Sequence, residues 1–238
     1  MKKIVILGSD TPHRRFFIKS LIAKNVPVHA VIFETESIKP AFETGPFFEN
    51  EEREYEGREY FREFDNTLDE IPVHYYPTIN DLRVETLLAE INPHFGIVFG
   101  TRKVAQRIIR KFSDCALNVH RGIAEEYRGL DTNLWAIYHG DFENTGVTIH
   151  KMDNDLDTGE IVFQEKLQYP PGTKVFQLRH YETALCAELV ARAVGNYLTG
   201  ELTSRPQTKK GRYYSFMPLV IKHSLVGKLE RHYNYATR

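Results

Sequence analysis

Several familiar signatures are missing from this 238-residue chain. Only Gly8 follows the opening apolar run, so a dinucleotide cradle lacks the glycines that let backbone approach a pyrophosphate. The absence of G-x-x-x-x-G-K-[ST], H-E-x-x-H and G-x-S-x-G speaks against NTPase, zinc-protease and α/β-hydrolase chemistry. Cysteine is scarce. Cys115 and Cys186 stand 71 residues apart with no CxxC spacing, each in an apolar-periodic context (FSDCALNV and ALCAELVA), which reads as buried free thiols. The 10 histidines are scattered without ligand spacing, so no metal is expected. Polar Ser9, Asp10, Thr11 and His13 interrupt the first apolar run, and the late run Phe216–Ile221 falls far short of the roughly 18 residues of a membrane span. A reducing cytoplasm and no membrane span are the expectations. The formal net charge of −1 removes whole-protein basicity as a pointer to nucleic acid.

That near-neutrality conceals an asymmetry. Residues 34–70 carry thirteen Asp/Glu against four Lys/Arg, a local net of −9, whereas 203–238 carry eight Lys/Arg against one Glu, a net of +7. Such runs are usually solvated surface; mutual docking or subunit contact is the sharper alternative. Around them runs a β–α rhythm. Short apolar runs at Lys2–Gly8, Val26–Phe33, Val73–Tyr76, Phe95–Phe99, Ala116–His120, Gly146–Met152 and Ile161–Leu167 read as strands. Helical patterns lie at His13–Lys24, Asp81–Ile91, Lys103–Phe112, Asp131–Tyr138 and Lys174–Leu198, with Asn92-Pro93 and Gly200 as stops. The expectation is an α/β core over 1–202 with a mostly parallel sheet covered on both faces, and a basic, aromatic extension over 203–238. Within the acidic insert 34–70, NEEREYEGREYFREFD reads as a helix with one aromatic side (Tyr55, Tyr60, Phe61, Phe64), either a lid over a pocket or a surface helix packed by that side.

The chemistry concentrates at Leu117-Asn118-Val119-His120. In a strand, residues i and i+2 share a face, so Asn118 and His120 present an amide and an imidazole side by side, and parallel strands of open sheets bind ligands at their C-terminal ends. An amide can stabilise charge on a carbonyl oxygen while an imidazole takes a proton from a nucleophile. Downstream, Asp153-Asn154-Asp155-Leu156-Asp157-Thr158-Gly159 is a polar turn between two strand-like runs, and one of its carboxylates could turn inward to hold His120.

Asn118-x-His120, Tyr127-Arg128-Gly129, Trp135-Ala136-Ile137, Gly140, Thr145-Gly146-Val147-Thr148-Ile149 and Leu156-Asp157-Thr158-Gly159 occur in the order and spacing of the folate-dependent formyltransferases. The chain resembles that family densely from Leu117 to Gln164 and more loosely over its N-terminal, Rossmann-like part. The resemblance implies a Rossmann-like formyltransferase core, catalysis by Asn118, His120 and Asp157, 10-formyltetrahydrofolate as donor and a primary amine as acceptor. It places the folate against Phe99, Gly100, Arg102, Val104, Asp153 and Leu156, and makes Ser9, Thr11, Arg121 and Tyr127 candidates for acceptor contacts. Where family members commonly have Pro-Ser-Leu-Leu-Pro after the histidine, this chain has Arg121-Gly122-Ile123-Ala124-Glu125, so Arg121, Glu125 or Glu126 either touches the acceptor or holds the loop by ion pairing.

The sugar N-formyltransferases resemble this chain most in size. They imply a nucleotide-linked amino-dideoxy sugar as acceptor, a role in bacterial surface glycan such as the O-antigen of lipopolysaccharide, and a homodimer. About 35 residues after the last helical pattern are too few for the RNA-binding barrel of the transfer-RNA enzyme, so nucleic acid is not expected as a partner. Another small amine or methionyl-tRNA remains the alternative acceptor, and a non-catalytic folate or nucleotide-sugar binding protein the reading from outside the enzyme class.

Overall fold

A computed structural model describes residues 2–37, 39–62, 68–153 and 157–236. In chain order the elements are β1 (Ile4–Ser9), α1 (Pro12–Ala23), β2 (Val28–Glu34), α2 (Glu49–Tyr60), β3 (Val73–Tyr76), α3 (Leu82–Ile91), β4 (Phe95–Phe99), α4 (Gln106–Ile109), β5 (Cys115–His120), β6 (Tyr127–Gly129), α5 (Thr132–His139), β7 (Gly146–Lys151), β8 (Ile161–Lys166), α6 (Leu178–Thr199), β9 (Arg212–Tyr214) and α7 (Leu219–Ala236). The main sheet has the order β3-β2-β1-β4-β5-β7-β8. Its first five strands are parallel, and β7 and β8 add antiparallel at one edge. This is the Rossmann-like, mostly parallel fold expected.

The strands of the parallel half are mostly apolar because both faces are covered. On β1, Ile4 and Ile6 enter one cluster with Phe17, Leu21, Leu117 and Val190, beneath α1 and α6. Val5 and Leu7, one step out of phase, enter a second with Ile32, Val84, Leu88 and Ile108, beneath α3 and α4. Helix ends follow local chemistry. Asp81 accepts a hydrogen bond from Arg83 N at the start of α3, and Asn92 (φ 50°) and Gly200 (φ 78°) close α3 and α6 in the left-handed conformation.

Three expectations change. The helix over Lys103–Phe112 shrinks to the single turn Gln106–Ile109, because residues 100–104 run as an irregular loop along the cavity described below. Cys186 is buried, but Cys115 is only half-buried. The stretch after His120 contains the short strand β6, which pairs in parallel with β9 from the extension. The extension is thus joined to the rest: α7 buries Leu225 and Leu229 in a third cluster with Phe48, Ile137, Val175 and Leu178. The acidic insert reaches the same corner. Tyr60 is fully buried and stacks on Phe16 at 4.4 Å, while Glu52 and Glu56 pair with Arg179 of α6. Helix α2 is a packed wall whose Glu49 and Glu52 line the cavity; Phe64 lies outside the described residues.

Candidate active site

A cavity of about 870 Å³ opens where the parallel strands β1, β2, β4 and β5 end at their C-termini. Asn118 and His120 both face it, as the two-residue period of a strand requires. The antiparallel partner supplies a third group from directly opposite. Asn118 is in register with His150 and His120 with Thr148, so His150 points into the same space. Asp157 closes the set from the turn between β7 and β8.

The hydrogen bonds fix where the protons sit. His150 Nδ1 lies 2.9 Å from the Lys151 carbonyl, which can only accept, so Nδ1 carries the proton and Nε2 is left as an acceptor. Asn118 Nδ2 donates one hydrogen to His150 Nε2 at 3.0 Å and the other to Asp157 Oδ1 at 3.1 Å. His120 Nε2 donates to the Tyr127 carbonyl at 2.8 Å, which leaves Nδ1 bare and 3.6 Å from Asp157 Oδ1. A lone pair therefore faces a carboxylate, and a proton arriving on Nδ1 enters a place prepared for it.

Burial pushes the His120 imidazole below its ordinary pKa, against the opposing pull of Asp157 and the Tyr127 carbonyl, so the resting ring is neutral. Burial also disfavours the Asp157 carboxylate, but the positive charge that His120 and His150 carry when protonated, with the Gly129 N–H 2.8 Å from Oδ2, outweighs it and draws the group well below the usual carboxylate range. A neutral base beside a permanently ionised acid is the arrangement expected of proton abstraction near neutral pH.

Phe99, Gly100, Arg102, Val104 and Asp153 all line the cavity, beside apolar Met152; Leu156 lies outside the described residues. Gly100 has φ +68°, and a Cβ there would stand 1.8 Å from Arg14 Nη2, so glycine lets the guanidinium lie against the end of β4. Ser9, Thr11 and Arg121 also reach the cavity. Tyr127 does not. Its ring stacks on Tyr214 and His139 and its hydroxyl donates to Asp141 at 3.0 Å, so only its backbone carbonyl serves the site. Glu125 turns from the cavity to bind Arg205 with both oxygens, and Glu126 pairs with Lys209, so both hold the loop by ion pairing. Among the described residues no group of three or more His, Cys, Asp or Glu is placed to hold a metal ion, and no helix is long and apolar enough to cross a membrane.

Sequence reasoning missed His150 and Arg14. The alternation that selected Asn118 and His120 also puts Thr148 and His150 on one face of β7, and would have found His150. Arg14 carried no local signal.

A family model described as formyl transferase matches residues 2–181. The chain belongs to the formyl transferase family. It is 31% identical over 154 residues to the methionyl-tRNA formyltransferase of Syntrophus aciditrophicus (strain SB), covering 64% of this chain and 48% of that protein. A second methionyl-tRNA formyltransferase, from Porphyromonas gingivalis, is 31% identical over 58% of this chain and 44% of its own length. The chain thus spans about half the length of the curated relatives it matches. Among solved structures the formyltransferase fold is shared with a 4-N formyltransferase from Francisella tularensis (TM-score 0.63, 16% identity, 94% of this chain and 87% of that one). It is shared too with the formyltransferase PseJ from Anoxybacillus kamchatkensis, solved with UDP-4,6-dideoxy-4-formamido-L-AltNAc and tetrahydrofolate (TM-score 0.58, 22% identity, 95% and 99%).

Proposed function

We propose that the chain transfers a formyl group from 10-formyltetrahydrofolate to the primary amine of a nucleotide-linked amino-dideoxy sugar, in the making of bacterial surface glycan such as O-antigen. The observation that carries this reading is the convergence of Asn118, His120, His150 and Asp157 on one cavity at the strand ends. Acyl transfer to an amine has two requirements: a proton must leave the nitrogen, and negative charge on the carbonyl oxygen must be met by a donor. His120 Nδ1 takes the proton, and Asp157, 3.6 Å away, stabilises the imidazolium that forms. Asn118 meets the oxygen by turning one of its two N–H bonds away from Asp157 or His150.

The wall of Phe99, Val104 and Met152, edged by Asp153 and the backbone at Gly100, suits a flat heteroaromatic donor with polar edges. Across the cavity, Arg14 supports an anionic acceptor. Its Nη1 donates to Ser9 Oγ and Thr11 Oγ1, its Nε has no partner, and among the described residues it pairs with no carboxylate. Burial, with the positive charges of Arg121 and Arg179, brings its pKa down to about 9, a cation in want of an anion. Tyr213 and Phe216 also line the cavity and offer faces on which a base can stack.

The test is incubation with 10-formyltetrahydrofolate and a panel of amino-sugar nucleotides, small amines and methionyl-tRNA, read by mass spectrometry. Formylation of an amino-sugar nucleotide is the expected result. Formylation of methionyl-tRNA alone, the substrate named for the curated relatives, overturns the acceptor half. Binding of tetrahydrofolate without transfer to any acceptor overturns the catalytic reading. A homodimer belongs to the same proposal and is read by sedimentation equilibrium.

A further inference from the structure

Asp157 sits at φ +55°, where a residue bearing a Cβ pays about 1–2 kcal/mol, so its surroundings must over-determine its position. Two attachments do so, and both lead to the extension. Gln207 Nε2 donates to the Asp157 carbonyl at 2.9 Å and to the Gly159 carbonyl at 3.0 Å, so one amide straddles the turn. Gly129 N donates to Asp157 Oδ2 at 2.8 Å from the end of β6, where Gly129 is in register with Tyr214 of β9. Gly129 has φ +95°, and a Cβ there would stand 2.1 Å from the Tyr214 carbonyl, so β9 sets how far Gly129 reaches toward the carboxylate.

The segment bearing Gln207 is itself fixed on both sides. Arg205 exchanges backbone hydrogen bonds with Ile161 at 2.8 and 2.9 Å, at the start of β8. Glu125 accepts two bonds from the Arg205 guanidinium at 2.7 and 3.0 Å, and two from the backbone and hydroxyl of Thr208 at 2.6 and 2.7 Å. Arg205 and Thr208, on either side of Gln207, are thereby tied to the loop that follows His120.

We propose that Gln207 is a positioning residue for Asp157: its amide holds the backbone of the 157–159 turn so that the carboxylate stays within reach of His120 Nδ1 and Asn118. The inference rests on the role proposed above for Asp157. It makes the extension part of the machinery that performs the reaction. Asn118 and His120 are held by the sheet, but Asp157 stands on a turn, and a shift of about 1 Å in a reacting group costs up to a hundredfold in rate.

Gln207→Glu and Gln207→Ala separate this role from simple space filling, because glutamate keeps the volume of glutamine while its carboxylate repels the two carbonyls. Both variants are compared with wild type and with Asp157→Asn for kcat, KM, the pH profile of kcat, and the folded fraction from thermal melts. The expected result is a ten- to hundredfold fall in kcat for both Gln207 variants, per folded molecule and with an unchanged KM for the donor. The acid limb of the kcat profile, set by protonation of His120, moves to lower pH, because Asp157 lifts the His120 pKa from 3.6 Å away and that lift weakens as the carboxylate drifts. Wild-type kcat and profile in Gln207→Glu, alongside an inactive Asp157→Asn, overturn the inference and leave the function standing. A kcat loss that merely tracks the unfolded fraction overturns it as well. An active Asp157→Asn overturns the role of Asp157 itself.

Discussion

The acidic insert and the basic extension carry opposite charges, meet at one corner of the molecule, and are held in place by different physics. The insert buries the charge by which it is anchored, though Glu36, Glu43, Glu51 and Glu54 stay exposed. Glu56 is 1% exposed and Glu52 6%, both against Arg179 of α6, with Tyr60 donating to Glu56 at 2.9 Å. The extension, Lys222 apart, leaves most of its charge wet, with the side chains of Arg205 and Lys209 48% and 58% exposed in their pairs with Glu125 and Glu126. The two meet directly where Lys222 binds Glu49 at 2.5 Å and the Leu219 N–H donates to the Glu43 carbonyl at 2.9 Å. Buried charge makes the insert brittle. Exposed charge lets the extension be fastened chiefly by backbone pairing and by amide-to-carbonyl contacts.

Asp157, the carboxylate of the proposed mechanism, lies where the extension's contacts end, so the largest expected effect is there. Asp157→Asn lowers formyl transfer by roughly a hundred- to ten-thousandfold, because the imidazolium on His120 loses its counter-charge, while the melting temperature changes little. A steady-state assay beside a thermal melt checks both halves. The next effect tests brittleness. Arg179→Met strands Glu52 and Glu56 inside the protein and costs about 3–5 kcal/mol, measured by urea unfolding.

Glu52 then gives a pH signature. Burial raises its pKa to about 7, opposed by Arg179, so the folded state binds a proton that the unfolded state has already released. Its contribution to stability is present below the unfolded value near 4.5, declines as pH rises, and is gone above about 7. Glu52→Gln is expected to remove that slope, seen as a smaller fall in melting temperature between those two pH values than in wild type. The smallest effect belongs to the wet side. Arg205→Met costs under about 1 kcal/mol, because the guanidinium is half-exposed and buried Glu125 keeps its bonds from Thr208 and Gln164, and a larger loss would erase the contrast between the two segments.

These differences also mark what was legible in the chain. The parallel strands were readable because burial on both faces makes Ile4–Leu7 of β1 and nearly all of β4 apolar, and Asn118 and His120 because alternation along one strand is a local property. Helix stops at Asn92 and Gly200 were readable from the left-handed residues they need. Strands β6 and β9 were not, since three residues carry no period and their pairing joins residues about eighty positions apart. Gln207 was invisible for the same reason: its two acceptors lie 50 and 48 residues upstream, and a lone glutamine among polar neighbours announces nothing. Arg14, on α1, is recognised only once Gly100, just past the end of β4, is seen to make room for it. The acidic run did indicate a charged surface, but not that its glutamates would be buried, because their partner Arg179 stands 123 residues from Glu56.

The third apolar cluster has a temporal consequence. It gathers Phe48 from the insert, Ile137 from α5, Leu178 from α6, and Met217, Leu225 and Leu229 from the far end of the chain. Closing so long a loop is entropically costly and slow, whereas β1, β2 and β4 join over shorter spans. On a ribosome, the central sheet and the Asn118–His120 strand are therefore in the open long before Gln207 and Met217 emerge. The nascent chain passes through a stage with its scaffold formed while the Asp157 turn still lacks its bonds from Gln207.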